Sequence, residues 1–119
     1  GLFTPLSEET TNLDLAIALR PCELLLVAPD RLGVLHDLTA TLGLAAARGY
    51  RVSHVVLSSP AVPDLSTGFN AAELTRLGVA RPLAVYPRAD EHDAATLASA
   101  TATFEAIERQ AASFQVGAF

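Results

Sequence analysis

Glu23-Leu24-Leu25-Leu26-Val27-Ala28, followed by Pro29-Asp30-Arg31-Leu32-Gly33, is the stretch from which the architecture can be read. An apolar run without alternation belongs to a strand covered on both faces, as in a parallel sheet, and this one is the expected central strand. Beyond the glycine turn, apolar residues recur at Val34, Leu35, Leu38, Leu42 and Ala45. That spacing is the single buried stripe of a helix, ending near Arg48-Gly49. Val52-Ser53-His54-Val55-Val56-Leu57 reads as the next strand, so residues 23–57 form one strand–helix–strand crossover.

Upstream, Thr11-Asn12-Leu13-Asp14 has the form of a capping box, in which a hydroxyl and an acid three residues later answer the free amides of a new helix. A short helix over 12–19 follows and stops at Arg20-Pro21, because proline disfavours helical geometry at the residue before it. Downstream, 58–68 carries prolines, an aspartate and several hydroxyl residues, a loop long enough to suggest a functional role. Asn70-Ala71-Ala72-Glu73 can cap a helix closing at Gly78, and Leu83-Ala84-Val85-Tyr86 is a brief strand ended by Pro87. The last helix places Leu97, Ala100, Phe104, Ile107, Ala111 and Phe114 on one stripe expected to dock on the sheet. Strands alternating with helices pack as an α/β fold, a parallel sheet with helices on both faces, here as a single domain over 1–119.

Composition narrows the function classes. Half of the 119 residues are hydrophobic and 18% are charged, which excludes a disordered tail, while the apolar runs are interrupted too early to span a bilayer. The net charge is −5, there is no lysine, and the arginines at 20, 31, 48, 51, 76, 81, 88 and 109 are scattered. A nucleic-acid interface needs a clustered basic face, so no nucleic-acid partner and no membrane partner are expected. Cys22 is the single cysteine, expected as a small buried apolar residue, and with no basic-then-apolar leader a cytoplasmic location is expected. His36, His54 and His92 have no ligand spacing, so no metal site is expected. The sequence contains no methionine and opens on Gly1-Leu2-Phe3-Thr4-Pro5 as if in the middle of a structural unit, which suggests a piece of a longer protein.

Gly1-Leu2-Phe3-Thr4-Pro5-Leu6, Thr11-Asn12 with Leu13-Asp14-Leu15-Ala16, the apolar strand, and Arg31-Leu32-Gly33-Val34-Leu35-His36 occur in an order and spacing that resemble dethiobiotin synthetase. That family belongs to the P-loop nucleotidase superfamily and closes the ureido ring of dethiobiotin from a diamino acid, carbon dioxide and ATP. The similarity runs from Gly1 to about Ala111 and covers the C-terminal half of such an enzyme. It implies that the turn Leu32, Gly33, Val34, Leu35 and His36 presents backbone amides at a helix N-terminus to the substrate carboxylate, across a dimer interface, a chemistry that needs no cationic side chain. Gly33 equally suits a tight strand-to-helix turn with no ligand, and His36, where the family has asparagine, suits a capping or surface histidine.

The resemblance further implies nucleotide contacts at Ser58, Pro87, Arg88 and Glu91. Ser58 stands where the family reads adenine with asparagine, and it lacks the paired donor and acceptor. Glu91 matches a ribose-binding acid, or else belongs to a solvated acidic turn capping the last helix near Asp93. No stretch ending in Gly-Lys-Ser/Thr is present to cradle a triphosphate, so no catalytic residue is assigned, and ATP and magnesium are expected only if an N-terminal half completes the chain. Three readings follow. The chain is a non-catalytic binding or dimerisation module, or the C-terminal part of a synthetase whose other half is supplied separately, or a receiver-like or flavodoxin-like α/β domain. Under the first two, an open apolar edge strand is expected to be buried by a homodimer or by the complementing half, and a small carboxylate is the expected ligand.

Overall fold

The computed structural model describes residues 1–90 and 92–115, for 111, 114 and 115 the backbone only. The elements are α1 (Asn12–Ala18), β1 (Leu25–Pro29), α2 (Val34–Ala47), β2 (His54–Ser58), α3 (Asn70–Arg76), β3 (Val85–Tyr86) and α4 (Ala94–Gln115). The three strands form a parallel sheet in the order β1-β2-β3, with Leu25 opposite His54, Pro29 opposite Ser58, and Ser58 opposite Tyr86. This is the α/β class that the alternating elements implied, with helices linking parallel neighbours as that pairing requires.

The register explains the core. Leu26 and Ala28 of β1 share a face with Val55 and Leu57 of β2, and this face meets Val34, Leu38, Leu35 and Leu42 of α2 and Leu74 and Ala71 of α3. Leu57, Leu74, Val34 and Leu38 are almost wholly buried, each worth about 1.5–3 kcal/mol relative to exposure. A second cluster joins Leu2, Leu13 and Ala16 to Ala45 and Tyr50, so α1 packs against the C-terminal end of α2. The capping box forms as its residues implied: the Thr11 amide and hydroxyl both donate to Asp14 Oδ2 at 2.7 Å, and the hydroxyl's bond leads in holding that carboxyl below its ordinary pKa.

Several expectations change. β2, not β1, is the central strand: His54, Val55, Val56 and Leu57 are all buried, while Leu25 and Val27 on the other face of β1 stand 40% and 56% exposed. The unbroken Leu24–Ala28 run is the same in composition whether its second face is covered or not, which is why the sequence alone misplaces it. Asn70 does not cap α3. It lies inside the first turn with its side chain buried, and Phe69 occupies the cap position. Cys22 is exposed, its Sγ 3.5 Å from the Ala16 carbonyl. On α4, Ala100 and Ile107 are buried but Leu97 and Phe104 are 41% and 51% exposed, while Thr96 and Thr103, one position before each, are half-buried. The expected contacts of Ala111 and Phe114 lie outside the described residues. No helix among the described residues is long and apolar enough to cross a membrane.

Candidate functional site

Parallel strands deliver their chain turns to one edge, and in open α/β sheets ligands collect at the carboxyl ends of the strands. At that edge β1 ends in Pro29, β2 in Ser58 and β3 in Tyr86, held level by the register and by the Ser59 amide donating to the Tyr86 carbonyl at 2.8 Å. Three segments leave it: the turn 30–33, the loop 59–69, and the connection 87–93.

The first segment is built around Gly33, the N-cap of α2, at φ 94° and ψ −15°. Glycine adopts this left-handed geometry freely, whereas a residue with a Cβ does not. The turn lets Val34 drop its side chain into the core at 1% exposure while Leu32 and His36 stay exposed and Leu35 is half-buried. The Val34 amide donates to the Arg31 carbonyl at 3.1 Å, and the Leu32 amide donates to Asp64 Oδ2 at 2.8 Å. A carboxylate of the protein itself therefore sits on the first amide of the turn. Arg31 closes its other side, donating to the Leu32 carbonyl at 2.9 Å and to Asp37 at 3.3 Å.

The loop is fastened by two aspartates. Asp30, 1% exposed, accepts from the Gly68 amide at 2.8 Å through Oδ2 and from Asn70 Nδ2 at 2.7 Å through Oδ1, and its carbonyl accepts from the Thr67 hydroxyl at 3.0 Å. Asp64 accepts, besides Leu32, the Ser66 amide at 2.8 Å and the Ser66 hydroxyl at 2.7 Å. The Leu32 amide is the leading cause that holds the Asp64 carboxyl at a pKa of about 2, below the ordinary 3.8. A carboxyl whose pKa falls on folding contributes stability that is present above its unfolded value and lost as pH drops through the folded one. The Leu32 amide resonance is thus expected to titrate with a midpoint near pH 2 in an NMR acid titration. A midpoint near pH 4 would mean that the Asp64 contact does not persist in solution.

Ser58 sits half-buried at the end of β2, its hydroxyl turned back toward the Ala28 carbonyl at 3.5 Å. Pro87 is half-buried and Arg88 exposed on the third segment. There Arg88, Ala89, Asp90 and Thr96 line a cavity of about 550 Å³. The Asp90 amide donates to the Thr96 hydroxyl at 3.0 Å, and the Asp93 side chain accepts from the Ala95 amide at 2.9 Å, capping α4. Glu91 lies outside the described residues. The structure thus brings the Leu32–His36 turn, Ser58 and the Pro87-Arg88 segment to one edge of the sheet.

Comparison with known proteins gives this edge its context. Over 85 residues, 64% of the chain, it is 41% identical to the ATP-dependent dethiobiotin synthetase BioD of Rhodopirellula baltica. Over 100 residues, 82% of the chain, it is 41% identical to that of a Caulobacter species, and over 85 residues 38% identical to that of an Anaeromyxobacter species. The chain is homologous to part of dethiobiotin synthetase. It covers 33%, 42% and 38% of the length of these three relatives. No family model matches the chain, and no solved structure matches it.

Dethiobiotin synthetases are ATP-dependent by name, yet the described residues do not fit a magnesium-bound triphosphate. Two acids at the carboxyl edge are committed: both oxygens of Asp30 and both of Asp64 accept hydrogen bonds from the turn, the loop or the start of α3. Among the described residues no group of three His, Cys, Asp or Glu side chains could hold a metal ion. The sequence reading gave no site role to Asp30 or Asp64 and took Asn70 for a helix cap. The available signal was an acid at the carboxyl end of an apolar strand, followed by an acid in a loop of prolines and hydroxyl residues.

Proposed function

We propose that this chain is the part of a dethiobiotin synthetase that carries the scaffold and the carboxylate-holding turn, and that it does not close the ureido ring by itself. The observation that supports this reading is the Leu32 amide already engaged by a carboxylate, that of Asp64, at a glycine turn opening α2. A turn that accepts one carboxylate on its backbone has the chemistry to accept another, and the amides of Leu35 and His36 point from the same helix end. ATP and magnesium enter with the remainder of a synthetase, which supplies the triphosphate cradle that the 119 residues lack. Ser58, Pro87 and Arg88 stand where that nucleotide would be read, and a cytoplasmic location suits a biosynthetic enzyme with one cysteine.

Two surfaces suit the partners this reading requires. β1 is an edge strand with Leu25 and Val27 exposed beside unpaired backbone, which suits a strand from the complementing half. Around the turn, Leu32, Val62, Leu65 and Phe69 are 74%, 81%, 101% and 69% exposed, an apolar patch that suits a second copy of the chain. The patch also favours the second reading, a non-catalytic dimerisation module.

The test mixes the purified chain with the N-terminal part of the Caulobacter relative and measures ATP-dependent ring closure on the diamino acid. Neither piece alone is expected to turn over, and the mixture is expected to recover at least about a hundredfold over background, the scale on which positioning and charge neutralisation act. Association without turnover would support the module reading instead. Turnover by the chain alone would refute both.

A further inference from the structure

The sheet has a second end, and nothing in the function proposed above uses it. At the amino ends of β2 and β3 lies a cavity of about 930 Å³, within the range of about 300–1,000 Å³ typical of small-molecule sites. Its wall is apolar where α2, β2 and the connection into β3 meet, with Leu42, Val55, Val79 and Leu83 contributing. Val55 is fully in the core, and Leu42 and Val79 pack against the same cluster, so this wall is held by the main core rather than by a mobile loop.

The polar lining is lopsided in charge. Arg51 and Arg81 both line the cavity, are exposed, and form no ion pair or side-chain hydrogen bond among the described residues. The one acid among the described lining residues, Glu23, is committed to buried His54, Oε2 to Nε2 at 3.1 Å. Arg20 adds a third positive charge at the adjoining mouth, stacked 4.7 Å over the Tyr50 ring and donating to the Gly49 carbonyl at 2.8 Å. A chain of net charge −5 thus concentrates guanidinium groups around one concavity, which focuses field lines for an anion and repels a cation.

We infer that this cavity binds a small amphipathic anion, with an acidic head between Arg51 and Arg81 and an aliphatic body on Leu42, Val55, Val79 and Leu83. Guanidinium accepts a carboxylate or phosphate head through paired hydrogen bonds, and the apolar wall selects for the tail. The site is separate from the Leu32–His36 turn, on the opposite edge of the sheet, and does not depend on the function proposed above.

The test is an NMR titration of the full 119-residue chain with sodium octanoate, inorganic phosphate and octylammonium. Octanoate is expected to shift the backbone amides of 52–55, 79–81 and 83 saturably and inorganic phosphate to shift them weakly, while octylammonium leaves them in place. The double variant Arg51→Ala, Arg81→Ala is expected to weaken octanoate by at least about tenfold, and the exposed single variant Arg81→Ala by about threefold should the double variant misfold by circular dichroism. Raising salt to about 0.5 M should weaken binding several-fold. Equal shifts with octylammonium, shifts confined to residues 32–36, no saturable shift, or affinity unchanged by the folded variants would each overturn the assignment.

Discussion

Asp30→Ala is expected to lower stability by about 2–4 kcal/mol, more than any other single polar replacement at the carboxyl edge. The side chain is 1% exposed and holds the Gly68 amide and the Asn70 side-chain amide at 2.8 and 2.7 Å. Alanine leaves the part-buried Gly68 amide without its acceptor and the buried Asn70 amide with only the Ser66 hydroxyl at 3.2 Å, each loss costing about 1–3 kcal/mol, partly offset because one desolvated acid is gone. For a domain of this length the melting temperature should fall by roughly 10 °C or more. Asp30→Asn is informative beside it: the amide keeps one acceptor but turns its NH₂ toward a donor, so an intermediate loss is expected. Loss of the clamp should also free the loop that carries Asp64, and the Leu32 amide should then exchange with solvent faster. A melting temperature unchanged for both variants would show that the loop is held by something other than Asp30.

Gly33→Val should have the second-largest effect, and it joins stability to function. At φ 94° a β-branched residue is strained by about 1–3 kcal/mol. Space is not the issue, since a Cβ there would meet only the Arg31 guanidinium at 3.6 Å, ordinary contact. The backbone must therefore rotate to relieve the strain, and the amides of Leu32 and Val34 rotate with it. If the turn holds the substrate carboxylate as proposed, then in a synthetase reconstituted from both halves KM for the diamino acid should rise by about tenfold or more with KM for ATP unchanged, because only that turn is displaced. Gly33→Ala should show a smaller loss of the same kind. If both variants kept wild-type KM for the diamino acid, Gly33 would serve the strand-to-helix turn alone.

These two positions show how differently sequence discloses a site. The turn at Gly33 was legible, because a glycine between an apolar strand and an amphipathic helix has few structural uses, and its φ of 94° is the left-handed geometry such a turn needs. Asp30 was not, because nothing in the order of residues says that the Gly68 amide and Asn70, about forty positions away, close over it. Asn70 was misread for the same reason: Asn-Ala-Ala-Glu has the local chemistry of a cap, but a buried aspartate competes for the amide and wins. Cys22 and the α4 stripe failed in another way, since hydrophobicity says which residues can be buried and not which have a neighbour to bury them.

What the sequence determined by itself was the list and kind of elements. The Thr11–Asp14 box, the helix-ending Gly49 and Gly78, and the apolar periods of α2 and β2 act over a few residues through sterics and backbone hydrogen bonds. Only the tertiary structure decided the order of the strands, the uncovered face of Leu25 and Val27, and the placement of Asp64 on the Leu32 amide. Those depend on which segments meet across long stretches of chain, and that choice is made by the packing of whole faces, which no local pattern encodes.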